Sequence, residues 1–285
     1  LISGQSAWWN LSGETWAEIM VTPSATMTLS FGAGAASTTG GSRGGAVMRY
    51  REIFYDVADF ISNQEAYHSG RLRDLSMSLM DIEALIPVLS GDLPVIAHVQ
   101  RRADIEALLR LRADYGLNLI LSGASEAWLM ADELAELNIP VILNPLENLP
   151  SNFERIASRE DNAAILERAG VPVIITTGWA HNARLLRQYA GNAVRAGMSH
   201  EGALRAITLN PAEAVGLSGQ YGCLQQGAVA NVVIWSGDPL ELSTEIEAIY
   251  IRGEQVSLSS RQSALFERYR TLEQGRNRLG EPTLP

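Results

Sequence analysis

Four short runs of aliphatic and β-branched residues, each followed by a helix-like stretch, leave this chain few ways to fold. They are Pro94-Val95-Ile96-Ala97-His98-Val99, Leu117-Asn118-Leu119-Ile120-Leu121, Pro140-Val141-Ile142-Leu143 and Pro172-Val173-Ile174-Ile175-Thr176. A continuous apolar run, rather than strict alternation, is what a strand covered on both faces shows, as in a parallel sheet. Three of the runs begin at or beside proline, which a strand tolerates at its first residue. They recur every 22 to 32 residues or so, the spacing of βα units rather than of an antiparallel meander.

The stretches between them carry the helical period. Ile105, Leu108, Leu109 and Leu111 predict a helix from Asp104 to about Tyr115, stopped by Gly116. Trp128, Ala131, Leu134 and Ala135 predict a second. Leu186, Tyr189, Ala190, Ala193 and Val194 predict a third, with Gly197 at its carboxyl cap. Upstream, Ser24–Phe31 reads as a fifth strand and Gly32–Gly45 as a long loop. Helices are expected over Arg49–Ile61 and Asp81–Leu89. Downstream, Ser199–Gly216 reads as two short helices divided at Asn210-Pro211. Asn231–Trp235 and Glu247–Ile251 read as strands of a small β layer, the latter turning at Arg252-Gly253, and the tail from Arg270 reads as polar and loosely held.

Composition narrows the function classes. Over 285 residues the formal net charge is −10, which repels a phosphate backbone and argues against nucleic acid as a partner. The single cysteine, Cys223, excludes a disulfide framework and a Cys-rich zinc site. No apolar run reaches the roughly 18 residues that a membrane span needs. A soluble protein of the cytoplasm or periplasm is expected. The chain opens on Leu1 without a basic, apolar leader.

The segment Ala203–Leu240 is more specific. It reads ALRAITLNPAEAVGL and then YGCLQQGAVANVVIWSGDPL, which resembles the pattern with which amidohydrolase-superfamily enzymes close their barrel. Thr208, Asn210, Pro211, Ala212, Gly222, Leu224, Gly227 and Ala230 fall on that pattern, with Asn231 where aspartate is usual. The resemblance is nearest to the imidazolonepropionase and Xaa-Pro-dipeptidase-like branch. It implies an α/β fold, a TIM-like (β/α) barrel flanked by a β-sandwich built from both chain ends. Residues 1–218 would form the barrel portion, 219–258 the sandwich strands, and 259–285 a carboxyl-terminal helix and tail. Five of eight barrel strands are countable, so the barrel is expected to be incomplete and the chain to begin after the first barrel strand.

The same resemblance implies one or two divalent metals, zinc foremost, activating water against an amide or cyclic amide C–N bond. His98 ends its run where the family has its fifth-strand histidine and is the candidate metal ligand. The other family positions differ. No His-x-His pair occurs, Ser122 and Gly123 stand where the sixth strand would carry histidine, and Gly178 stands where the eighth would carry aspartate. Three protein ligands are usual for a catalytic zinc, so the ligand set is degenerate. His181, three residues past Gly178, is the candidate catalytic acid–base. Trp179 would line the pocket, and Arg43, in the loop GGSRGG, would grip a substrate carboxylate. Glu126 is a further polar residue at the strand ends, and His68 and His200 read as structural or exposed. The expected partner is a small-molecule or dipeptide-like substrate, with self-association open through unpaired sheet edges. Two rival readings remain at this point: a catalytically silent binding barrel and a metal-free barrel enzyme.

Overall fold

The structure is a computed structural model that describes residues 1–71 and 73–270. In chain order the first half runs β1 (Ile2–Trp9), α1 (Trp16–Ile19), β2 (Met20–Ser30), α2 (Ala33–Ser37), α3 (Arg43–Ser62), α4 (Gln64–His68), α5 (Leu79–Leu89), β3 (Val95–Val99), α6 (Arg102–Tyr115) and β4 (Leu119–Gly123). A 3-10 turn at Ala127–Met130 leads to α7 (Ala131–Glu136), β5 (Val141–Leu143), α8 (Asn162–Ala169), β6 (Val173–Ile175) and a second 3-10 turn at Ala180–Leu185. The rest is α9 (Leu186–Arg195), α10 (His200–Ile207), α11 (Leu209–Ala214), β7 (Val232–Trp235), β8 (Ile246–Ile251), β9 (Glu254–Val256) and α12 (Arg261–Tyr269). The tail beyond residue 270 lies outside the described residues.

The four apolar runs are strands β3 to β6, and they pair in parallel, in sequence order, beside β2. Five parallel strands were expected and five are found, joined by helices as βα units. One strand of this sheet was not foreseen: β1 runs antiparallel along β2. The six-stranded sheet is open, with β1 and β6 as its edges.

The two faces of this sheet differ in what covers them. Leu29, Ala97, Leu121, Val141 and Val173 stand side by side in register and belong to the main core with Tyr50, Phe54, Ile82, Leu85, Ile105, Leu108, Leu134 and Leu166 of the helices. Each of the Val, Leu, Ile and Phe side chains contributes about 1.5–3 kcal/mol by leaving water. The opposite face carries Thr28, Ile96 and Ile120 in one row and Ser30, His98, Ser122, Ile142 and Ile174 in the next. In a (β/α) barrel that is the interior face.

Two boundaries correct the sequence reading. The Gly32–Gly45 stretch is not a loop throughout. It contains α2, and α3 begins at Arg43 because the Ser42 hydroxyl accepts from Gly45 N at 3.3 Å and caps it. The break between α10 and α11 falls at Thr208 (φ −129°, ψ −78°) rather than at Asn210-Pro211. Pro211 sits in the first turn of α11, where its missing N–H has no helical partner to lose.

The residues of the Ala203–Leu240 motif act in packing. Asn210 is buried and donates Nδ2–H to Val173 O at 2.7 Å, tying α11 to edge strand β6. Gly222 has φ +78°, and a Cβ there would lie 2.4 Å from Thr208 O, so only glycine fits. Asn231 accepts from Arg252 N at 3.0 Å and donates Nδ2–H to Asn10 Oδ1 at 2.6 Å. The aspartate usual at that position could accept the first bond and could not donate the second. Strands β7, β8 and β9 form a separate antiparallel sheet.

Candidate active-site edge

Parallel strands place all their carboxyl ends on one edge of a sheet, and in α/β folds that edge bears the site. Here His98 lies near the end of β3, Arg43 at the start of α3 after β2, Glu126 after β4, and Trp179 and His181 after β6.

His98 is the fourth residue of β3, in register with Ser30, Ser122 and, one strand further, Ile142. Its ring stands on the face opposite the main core. Partial burial against the sheet lowers its pKa, because desolvation disfavours the imidazolium. The neutral ring, the form that ligates metals and accepts protons, is thereby favoured.

Trp179 and His181 follow β6. Their rings stack at 6.2 Å between centroids and 27° between planes, and both are exposed. Gly178 before them has φ +74° and lies near Asn144, whose Nδ2 would be 3.8 Å from an added Cβ. The loops after β5 and β6 therefore meet. His98 and the β6 end are three strand spacings apart, about 14 Å along the sheet at ~4.8 Å per spacing. The structure brings Trp179 to His181 and holds His98 apart from them on the same edge.

Arg43 is engaged by the protein itself. Its Nε donates to Asp104 Oδ2 at 3.0 Å, and another guanidinium nitrogen pairs with Glu154. The hydrogen bond to Glu154, followed by that to Asp104, raises the Arg43 pKa. Burial raises the pKa of Asp104 against the pull of Arg43. For Glu154 burial pushes upward too, but the nearer Arg43 guanidinium wins and the pKa falls. Glu154 also accepts from Ala33 N at 3.3 Å. Gly32 (φ +72°) permits this, since a Cβ there would lie 3.0 Å from Asp104 Oδ2 and 3.2 Å from Glu154 Oε2. The cluster joins the β2 loop, α3, α6 and the long β5–α8 connection. Sequence reasoning missed Asp104 and Glu154: the first looked like an ordinary acid in a first helical turn, and the second sits in a segment without periodicity.

Glu126 accepts from Arg102 N at 2.8 Å and so caps the neighbouring helix α6. His200 contacts both carboxylate oxygens of Asp238, at 2.9 and 2.8 Å, on the surface. His68 ends α4 beside Tyr67.

The end of β4 is the most constrained point on the edge. Gly123 has φ +84°, and an added Cβ would lie 2.3 Å from Gln100 Nε2. Gln100 Oε1 in turn accepts from Ser125 Oγ at 2.5 Å. Ala124, fully buried, holds φ +41°, a left-handed conformation that costs a non-glycine residue on the order of 1–3 kcal/mol. Two bonds hold it there: Ala124 N donates to Val99 O at 2.6 Å, and Ala124 O accepts from Asn162 Nδ2 at 3.2 Å.

The donors on this edge do not fit a catalytic metal centre. Among the described residues no group of three His, Cys, Asp or Glu is placed to hold an ion. On the strand row of His98 the neighbours are Ser30, Ser122 and Ile142, and Asp104 and Glu154 are spent on Arg43. No described helix is long and apolar enough to cross a membrane.

Comparison with known proteins agrees with the fold. A solved amidohydrolase from Thermotoga maritima MSB8 superposes with a TM-score of 0.80 at 26% identity, over 90% of this chain and 68% of that one. The amidohydrolase tasK of Hapsidospora irregularis is 22% identical over 233 residues, 77% of this chain, which spans 24% of that protein's length. The sequence model of the amidohydrolase family matches residues 103–262. With more than half of its length on that model, this chain belongs to the amidohydrolase family.

Proposed function

We propose that the protein hydrolyses a C–N bond, amide or cyclic amide, in a small-molecule or dipeptide-like substrate lying over the carboxyl edge of the parallel sheet. The observation that carries this reading is the coincidence of family membership with His98, Trp179 and His181 on that one edge. The finer placement, in the imidazolonepropionase and Xaa-Pro-dipeptidase-like branch, belongs to this proposal. So does the reading of residues 1–218 as part of a (β/α) barrel, 219–258 as sandwich strands and 259–285 as helix and tail.

Hydrolysis adds the oxygen of water to the carbonyl carbon, breaks the C–N bond and leaves a proton on the nitrogen. His181, exposed on the β6 loop, delivers that proton. Trp179, stacked on it, supplies an apolar wall. Arg43 would meet a substrate carboxylate through donors that Asp104 and Glu154 do not use. His98 is the one residue offered to a divalent metal, zinc in the first place, which when bound polarises a carbonyl and lowers the pKa of water. Since a single histidine does not hold such an ion, no step here passes through it.

A second reading, a barrel that binds its ligand without turning it over, draws on Gly178 standing where the family resemblance puts an aspartate. One experiment separates them. The protein is offered Xaa-Pro dipeptides, N-acyl amino acids and cyclic amides, with and without chelator, and released amine or acid is measured alongside metal content. Turnover that falls when His181→Asn lowers kcat, with KM little changed, supports the hydrolase. Calorimetric binding of one of these compounds without release of product supports the silent barrel. An unpaired β6 edge also offers a second copy a place to pair, which light scattering reads as a dimer mass.

A further inference from the structure

Between the ends of β4 and β5 and the first turn of α8 lies a cavity of about 20 Å³, lined by Gly123, Ser125, Asn144, Ser158 and Asn162 among others. Two polar atoms there, Asn162 Oδ1 and Ser158 Oγ, are shut off from solvent and have no hydrogen-bond partner. Asn162 is 7% exposed, and its amide cannot be turned over to cure this. Its Nδ2 already donates to Ala124 O, and a reversed amide would set two acceptors against each other. The ionic groups on the walls are matched elsewhere: Glu147 by Arg155, Arg159 by Asp161 and Glu160 by Arg195. Ser125 Oγ is committed to Gln100. What remains is an acceptor and a hydroxyl on residues that line a space exceeding the roughly 10–15 Å³ one water needs.

We propose that this cavity is a binding site for a single small hydrogen-bond donor, water or an ammonium ion, held by Asn162 Oδ1 and Ser158 Oγ. A buried amide oxygen left unmet keeps the cost of its lost hydration, and a donor of this size meets it. The occupant ties the β5–α8 connection to the strand ends. That connection is fastened besides by the Glu154 pair with Arg43 and by Trp128, which donates to Ala157 O at 3.0 Å and lies under Arg159, 4.5 Å from its ring centroid. The site does not depend on the hydrolase reading.

Crystals of the whole protein grown without ammonium, and the same crystals soaked in thallous acetate as an ammonium mimic, test this. A density peak within hydrogen-bond distance of both atoms is expected in the first. In the soaked crystal an anomalous signal at that position identifies a monovalent-cation site, and an unchanged peak without one identifies water. Asn162→Leu, close in size and without the acceptor, should lose the peak. Ser158→Ala removes only a hydroxyl and keeps the test available if the first variant does not fold. Amide hydrogen exchange across residues 144–161 should rise about tenfold in either variant, the effect of losing one hydrogen bond of ordinary strength. No peak in either crystal, or a peak undiminished in both variants, overturns the proposal.

Discussion

At Gly123 a single hydrogen atom decides whether the end of β4 can exist as it does. The 2.3 Å between an added Cβ and Gln100 Nε2 is far inside contact distance, and φ +84° adds backbone strain. Gly123→Ala should therefore displace Gln100 from Ser125 and lower stability by about 1–3 kcal/mol, seen as a lower urea midpoint at unchanged slope. His98 is the residue whose charge can be followed. Its folded pKa lies below the ordinary histidine value near 6.5, so between the two values the unfolded chain binds more protons and stability falls as pH drops. Above both values the shift contributes nothing. His98→Gln should flatten the decline of stability on the acid side of pH 6.5 or so, and a proton NMR titration of His98 should give a midpoint below that ordinary value. These residues differ in how far the sequence revealed them. His98 was legible because it ended an apolar run at a position the family resemblance marks. Asn162 and Ala124 were not, since a buried amide and a strained alanine are defined by what lies across from them.

Among the elements, the β5–α8 connection has the most to lose from a single ion pair. Arg43, Asp104 and Glu154 hold it against α3 and α6. Arg43→Met would leave the nearly buried Asp104 carboxylate without its cation. A fully buried charge so stranded costs on the order of 3–5 kcal/mol. With the Arg43 side chain 37% exposed, screening reduces this to about 1–2 kcal/mol. Limited proteolysis should then cut first between residues 144 and 161. Asn210→Ala, which frees Val173 O at the sheet edge, should cost about 1 kcal/mol and raise hydrogen exchange in β6 and α11 before the rest of the sheet. The strands β3 to β6 were readable because burial on both faces forces uninterrupted apolar runs. Strand β1 was not: ISGQSAWW pairs on one side only, several of its residues face solvent, and its register with β2 is irregular. The start of α3 was hidden by glycines that usually mark loops, while Ser42 outweighed them as a cap.

Over the whole molecule, what could be read early was what topology alone dictates. Parallel runs imply a common carboxyl edge, and His98, Trp179, His181 and Arg43 lie along it. Beyond reach was how far along the edge each one lies, because sheet spacing and loop course are set by packing that no local pattern encodes. Arg43 shows the consequence: the sequence displays its charge, and the two carboxylates that occupy it sit 61 and 111 residues away. The central claim is that this edge performs C–N hydrolysis, and the most direct measurement is amine release from a panel of Xaa-Pro dipeptides and cyclic amides by the wild-type protein and by His181→Asn. The account predicts release by the wild type and a loss of about 10²-fold or more in kcat/KM for the variant, whereas equal rates in the two proteins, or no release by the wild type, would contradict it.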